Sequence, residues 1–275
     1  MNDVSNADLF CLITDSNHAQ SAENVLFHFL DDLISLPALA IKNRYRNDAL
    51  RWSLKPVYLK FLIEKGYDSV IYCDNDIFFF DSPQFLFEKL VEKSFLLTPH
   101  FYPSNPSNNQ NWLEANFRVG LYNAGFIGVS IKGVEILDWW TNCCLYNVKK
   151  SFWRGLFDDQ KYLDLVPVKF DNVEVVKHRG CNLAGWNSDE SEIVKDENGQ
   201  FLIQNEPLIF IHFTPLTIEK FSISNAVLFQ AYQQYEERLR LKNSDFQFSN
   251  TKLTKTAISS YIYYIRWRFV RLLEK

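Results

Sequence analysis

An α/β fold with a mostly parallel sheet flanked by helices is the class that the residue pattern predicts. Short apolar runs of strand length alternate along the chain with longer stretches of helical periodicity. One such run follows a helix across a tight turn and passes straight into an acidic triplet, the order that a parallel sheet needs. The 275 residues, 47 % hydrophobic and 16 % aromatic, suffice for one large core and argue against disorder on a large scale.

In chain order, Leu9 to Thr14 is an apolar run stopped by Asp15 and Ser16, which predicts a first strand. Ala19 to Leu33 carries apolar residues at helical intervals and predicts a helix. Asn47 to Lys65 is a second predicted helix, closed by Gly66 as its C-cap. Ser69 to Tyr72 reads as a buried strand. Pro103 to Asn111, rich in Ser, Asn and Pro, is the clearest long loop. A strand from Phe126 to Ile131, a helix from Gly133 to Asn147, and strands at Val166 to Val176 and Leu208 to Phe213 complete the pattern, with a polar excursion from Ser188 to Gly199. Residues 1–245 are expected to form the α/β domain and 246–275 a C-terminal amphipathic helix.

The formal net charge of −4 leaves no whole-molecule basic field, so nucleic acid is excluded as a main partner. Five cysteines, an odd number without framework spacing, predict reduced thiols and a cytoplasmic protein. Met1 to Phe10 has no basic region followed by an apolar one, so no signal peptide is expected there. No apolar run approaches the roughly 20 residues that span a bilayer.

The strongest chemical signal is Ile71-Tyr72-Cys73-Asp74-Asn75-Asp76-Ile77-Phe78. A buried strand delivers two carboxylates, one residue apart, at its C-terminal edge, where open α/β sheets bind ligands. A hard divalent cation holding a diphosphate suits such a pair, because Mg²⁺ and Mn²⁺ take oxygen ligands and keep positions open for phosphate. A solvated turn with a helix-capping Asp would satisfy the same triplet.

The context separates those readings. Arg51 through Phe80 supplies a helix, an apolar strand and Asp-x-Asp; Leu121-Tyr122-Asn123-Ala124-Gly125-Phe126-Ile127-Gly128 follows; then Phe157-Asp158-Asp159-Gln160; then Phe210-Ile211-His212-Phe213. In this order the segments resemble the motifs of the GT-A glycosyltransferases, a Rossmann-like fold, and especially the retaining glycogenin and bacterial lipopolysaccharide galactosyltransferase group. The resemblance covers roughly residues 8 to 215.

It implies that Asp76 ligates a metal (Mn²⁺ or Mg²⁺), that Asp74 contacts the metal or the donor ribose, and that His212 completes the metal site. A core histidine on a strand is the plainer reading of His212. Lys55 matches a basic residue that contacts donor phosphate or sugar, and reads equally well as a solvated helix lysine. Asn75, Asn123, Ala124 and Gly125 would line the donor, Asn123 through its amide and Gly125 by admitting close backbone approach. Asp159 and Gln160 would stand near the anomeric carbon and work by positioning and charge; in an inverting enzyme Asp158 or Asp159 would serve as general base. An Asp pair at a helix N-terminus is their plain alternative. Trp186 and Asn187, within Cys181 to Asn187, suit an acceptor by stacking and hydrogen bonding, or anchor a packed turn.

The chain departs from the family after its histidine. Phe213-Thr214-Pro215-Leu216 replaces the usual Gly and Lys-Pro-Trp, and Lys220 lies two residues too far along to match the diphosphate-gripping lysine. The segment between the first strand and Arg51 is short, which predicts a reduced or rebuilt nucleotide-base pocket.

From Ile258 onward, apolar Ile258, Tyr261, Ile262, Ile265, Phe269, Leu272 and Leu273 form one helical stripe flanked by Arg266, Arg268 and Arg271. That mixture suits an anionic membrane surface, here the inner face of the cell membrane, and equally a helix that docks back or dimerises. The function expected is sugar transfer from a nucleotide-diphosphate sugar, UDP-sugar first among them, to a glycan or lipid-linked acceptor. A sugar-phosphate nucleotidyltransferase is the competing enzyme, but Leu12-Ile13-Thr14-Asp15-Ser16-Asn17-His18 has neither the Gly nor the basic residue of its phosphate loop. A non-catalytic sugar-nucleotide binding protein is the competing class.

Overall fold

A computed structural model describes residues 7–19, 22–107, 109–224, 226–242 and 248. The elements are β1 (Leu9–Ile13), β2 (Val25–Phe29), α1 (Leu36–Arg44), α2 (Asn47–Glu64), β3 (Ser69–Cys73), β4 (Ile77–Phe79), α3 (Gln84–Glu92), β5 (Phe95–Pro99), α4 (Gln110–Arg118), β6 (Tyr122–Ser130) and α5 (Val134–Tyr146). They continue with α6 (Val166–Lys169), β7 (Val173–Val175), β8 (Ile193–Lys195), β9 (Phe201–Ile203), β10 (Glu206–Pro207), β11 (Phe210–His212), α7 (Pro215–Phe221) and α8 (Ala226–Lys242). The chain divides into two units, Met1–Tyr232 and Gln233–Lys275. The first is an α/β domain. The C-terminal helix expected over 246–275 lies, apart from residue 248, outside the described residues.

The central sheet has the order β3-β6-β5-β7. β6 runs antiparallel to both β3 and β5, while β5 and β7 are parallel. Three of its four strands therefore share one direction and only β6 is reversed. Side chains alternate between two cores, as a pleated strand requires. Phe95, Leu97, Ile127 and Val129 pack with α1, α2 and α5, including Leu54, Leu59, Leu137 and Trp140. Leu96 and Phe126 face the other way, against Leu86 and Leu90 of α3 and Phe210 of β11. Two smaller sheets stand beside this one: β1 parallel to β2, and the antiparallel order β10-β9-β8. β4 and β11 form an antiparallel ribbon in which His212 pairs with Ile77.

Several elements differ from the sequence expectation. Ala19 to Leu33 is not a helix: Val25–Phe29 is a strand, aligned Leu9 to Val25 through Ile13 to Phe29. Its bulky, mostly β-branched or aromatic residues pack as a strand, and His28 stacks on Phe10 and meets the Tyr58 hydroxyl at 3.0 Å. Val166 to Val176 is not one strand either. Pro167 sits in the first turn of α6, where its missing N–H is harmless, and Asn172 turns left-handed (φ 59°) before β7. The excursion from Ser188 to Gly199 contains β8, which pairs with β9. β6 begins at Tyr122, four residues before the expected start at Phe126, and so takes Asn123 into the sheet. His212 ends a short antiparallel ribbon strand and not the parallel strand the pattern suggested.

Candidate active site

β3 carries Tyr72 and, one residue past its end, Asp74 onto the same face. The Tyr72 hydroxyl donates to Asp74 Oδ1 at 2.5 Å. The chain is held across to β6 by Asp74 N–H donating to the Gly125 carbonyl at 2.8 Å. It then turns into β4, whose antiparallel partner β11 presents His212; Phe213 N–H closes the ribbon on the Asp76 carbonyl at 2.7 Å. His212 Nε2 lies 2.9 Å from Asp76 Oδ1 and 3.9 Å from Asp74 Oδ2. Asp74, Asp76 and His212 thus offer ligand atoms all within 4.8 Å of one another.

Gly125 makes room for this cluster. A methyl group there would lie 2.7 Å from Asp74 Oδ2, 2.7 Å from His212 Cε1 and 2.9 Å from Asn123 Oδ1. Half-exposed carboxylates over a crevice that even one methyl would fill fit a hard divalent cation. The pair opens onto a cleft of about 1340 Å³ between β1, α2 and β3, lined by Thr14, Asp15, Arg51, Lys55 and Asn75 among others. The short segment before Arg51 has therefore not closed this space. Burial opposes ionisation of Asp76, but its hydrogen bond to His212, with the Lys55 charge behind, holds its carboxyl below the ordinary range.

Lys55 is the hub behind the carboxylates. Projecting from the middle of α2, it is buried, donates to the Ala124 carbonyl at 3.0 Å, and lies 3.4 Å from Asp74 Oδ1 and 3.5 Å from Asp159 Oδ2. Its ammonium stands 5.0 Å from the centre of the Tyr72 ring. Burial pulls its pKa down, and the neighbouring carboxylates, Asp159 foremost, more than restore it. It is not a solvated helix lysine.

Asp158 adopts a left-handed backbone (φ 41°), tolerable for Asp, and pairs with Lys150 at 3.5 Å. The turn drives Asp159 inward to 2 % exposure, where the Trp140 indole N–H donates to its backbone carbonyl at 2.8 Å. Asp159 Oδ2 makes no hydrogen bond and faces the Lys55 ammonium. Burial pushes this carboxyl up to about 7, Asp158 and Asp74 adding to the effect and Lys55 opposing it. Gln160 Nε2 donates to the Val119 carbonyl at 3.3 Å.

Asn123 is buried and its amide is spent within the protein, on Gly125, Asn182 and His212. It supports the cluster from behind, with its NH₂ group directed at Asn182 and His212. Trp186 and Asn187 are likewise enclosed. The Trp186 indole donates to the His100 carbonyl at 2.7 Å, as does the Asn187 amide at 2.8 Å, and the Trp186 ring meets His212 edge-on at 5.6 Å. In this structure the loop forms the wall behind His212, with the Trp186 indole and the Asn187 amide engaged inside the protein. Lys220 points away to the Gly185 carbonyl and Asp189. Burial drives His100, on the same wall, down to about 3, so it is neutral.

Sequence reasoning missed Tyr72, Asn182, Trp140 and Lys150 as members of this site. Tyr72 was within reach, because residues two apart on a strand share a face. Asn182 lies inside a segment that the pattern did single out. Nothing local marks Trp140 or Lys150.

No protein-family model matches the chain. Two proteins of Bacillus subtilis (strain 168) are similar: uncharacterized protein YfnD, 30 % identical over 202 residues, covering 71 % of this chain and 63 % of that one, and uncharacterized protein YfnF, 31 % identical over 169 residues, covering 59 % and 55 %. The chain thus spans less than two thirds of the length of these relatives. Among solved structures, mouse xyloside xylosyltransferase 1 aligns with 56 % of this chain and 62 % of its own, at 14 % identity and a TM-score of 0.36. A glycosyltransferase involved in glycosylating the major capsid of PBCV-1 aligns with 82 % and 99 %, at 11 % identity and a TM-score of 0.43.

Proposed function

We propose that this chain is a glycosyltransferase that moves a sugar from a nucleotide-diphosphate sugar to a glycan or lipid-linked acceptor. The observation that carries the reading is the Asp74, Asp76 and His212 cluster, within 4.8 Å, at the head of a large cleft. The ordered motifs around Asp74, Asn123, Asp159 and His212 support it, since segments far apart in sequence meet at that one point. Asp74 and Asp76 are the residues that would hold a Mg²⁺ or Mn²⁺ ion. Such an ion would neutralise the pair and stabilise charge on a departing diphosphate.

The residues around it have separable roles in this reading. Asn75, Arg51 and the end of β1 line the space for the nucleotide. Lys55 balances Asp74 and Asp159 from behind and so keeps two carboxylates usable at close quarters. Asp159 and Gln160 set the field and the shape beside the reacting carbon. The proposal takes the transfer as retaining, as the resemblance implies, and the enclosure of Asp159 against Lys55 supports this, because a general base must reach the acceptor hydroxyl.

Titration calorimetry with a panel of UDP- and GDP-sugars, with and without Mn²⁺, tests the proposal on wild type and Asp76→Asn. Donor binding should require the metal in wild type. It should weaken at least about tenfold in Asp76→Asn, equivalent to ~1.4 kcal/mol. Metal-independent donor binding in wild type would overturn the reading.

A further inference from the structure

His212 has two ring nitrogens, and the structure assigns them different duties. Nε2 faces Asp76 Oδ1 at 2.9 Å and Nδ1 faces Asn123 Nδ2 at 2.9 Å. An amide NH₂ group only donates, so which end of Asn123 points at the ring decides where the ring proton sits. Two backbone groups settle that orientation. Gly125 N–H can only donate, and it donates to Asn123 Oδ1 at 2.8 Å. The Pro99 carbonyl can only accept, and it takes the Asn182 NH₂ at 2.9 Å, which turns Asn182 Oδ1 toward Asn123 Nδ2, also at 2.9 Å. Reversing Asn123 would set donor against donor at Gly125 and acceptor against acceptor at Asn182. Reversing both amides would only move the second conflict to Pro99. Asn182 is fully buried, and Asn123 and His212 are 4 % and 5 % exposed, so solvent does not relieve any of these arrangements.

We propose that Asn123 and Asn182 are positioning residues that hold His212 with its proton on Nε2. His212 then orients Asp76 by donating a hydrogen bond and does not lend a nitrogen to the cation. A metal-bound histidine carries its proton on the other nitrogen and gives it to an acceptor such as a carbonyl or carboxylate. Here that other nitrogen meets an NH₂ group. The cation site reduces to oxygen ligands from Asp74 and Asp76, which suits Mg²⁺ or Mn²⁺ and removes the advantage that imidazole gives Zn²⁺. The inference rests on the carboxylate pair as a cation site for its consequence, but not for the position of the proton.

Nitrogen NMR on protein labelled at histidine, above the ordinary imidazole titration range, reads that proton directly, with His212 assigned by its loss in His212→Gln. The proton should be on Nε2 without metal and should stay there when diamagnetic Mg²⁺ is added. A proton on Nδ1 in either state overturns the proposal. Asn123→Asp offers Nδ1 an acceptor, so Nδ1 should become protonated in that variant; an Nδ1 that stays bare would show that Asn123 does not set the tautomer. Calorimetry with Mg²⁺ provides the second readout. His212→Gln, which can still donate to Asp76, should bind Mg²⁺ within a few-fold of wild type, whereas a loss beyond about tenfold (~1.4 kcal/mol) would restore the imidazole as a ligand and overturn the proposal. If wild type binds no Mg²⁺ at all, the cation reading of the site fails, while the metal-free spectrum still decides the tautomer.

Discussion

Asp159 is where burial and chemistry conflict most sharply. Its carboxyl is pushed to about 7 from an ordinary value near 3.8, first by burial. Between those values the native state holds a proton that the unfolded chain has lost, so stability falls as the pH rises across the window, and the full penalty stands above it. Asp159→Asn removes the titrating group, and the slope of Tm against pH over this range should flatten. An unchanged slope would place the proton on another residue. In kinetics, if Asp159 has the role proposed for it beside the reacting carbon, the same variant should lower kcat and kcat/KM together, because such a group contributes mainly in the transition state. A rise in KM alone would make Asp159 a binding residue.

At the scale of elements, the site depends on the start of β6 and the short β4–β11 ribbon. Gly125 opens β6 beneath the carboxylates, and Gly125→Ala would press a methyl to 2.7 Å from both Asp74 Oδ2 and His212 Cε1. Overpacking of this kind costs about 1–3 kcal/mol. The variant should lose metal-dependent donor binding about tenfold or more while keeping its secondary structure by circular dichroism. β11 is anchored by Phe210, fully buried and stacked on Phe126 at 4.5 Å. Phe210→Ala should lower stability by about 3–5 kcal/mol, read from urea midpoints. Wild-type stability in that variant would mean that the ribbon is held without this core. The strands β3 and β6 that meet at the site were legible from their apolar runs, but β2 was not, because a short aromatic run fits either period.

For the molecule as a whole, the described residues contain no helix long and apolar enough to cross a membrane. The membrane contact expected from the sequence rests on residues 251–275, whose apolar residues would, on a helix, form a stripe flanked by Arg266, Arg268 and Arg271. The 275-residue chain should bind anionic vesicles in a salt-sensitive way, and replacing those three arginines by Glu should abolish binding. Binding that survives both salt and substitution would leave the stripe with a structural role. The motifs lie roughly between residues 8 and 215, within the Met1–Tyr232 unit.

The sequence by itself determined the α/β class, the acidic pair at the end of β3, and the set of segments that meet there. Those features are local: strand length, a run of β-formers ending in Asp74-Asn75-Asp76, a glycine after Asn123, a histidine closing a short apolar run. Only the tertiary structure decided what each side chain does. Asn123, Trp186 and Asn187 read as ligand contacts because their groups suit sugars, yet long-range packing spends those groups on Asn182, His100 and His212. Lys55 read equally as solvated or functional until α2 buried it between Asp74 and Asp159. The reason is physical: a polar group's role follows from which partners it meets once the chain is folded, and two of the three partners of Asn123 lie 59 and 89 positions away.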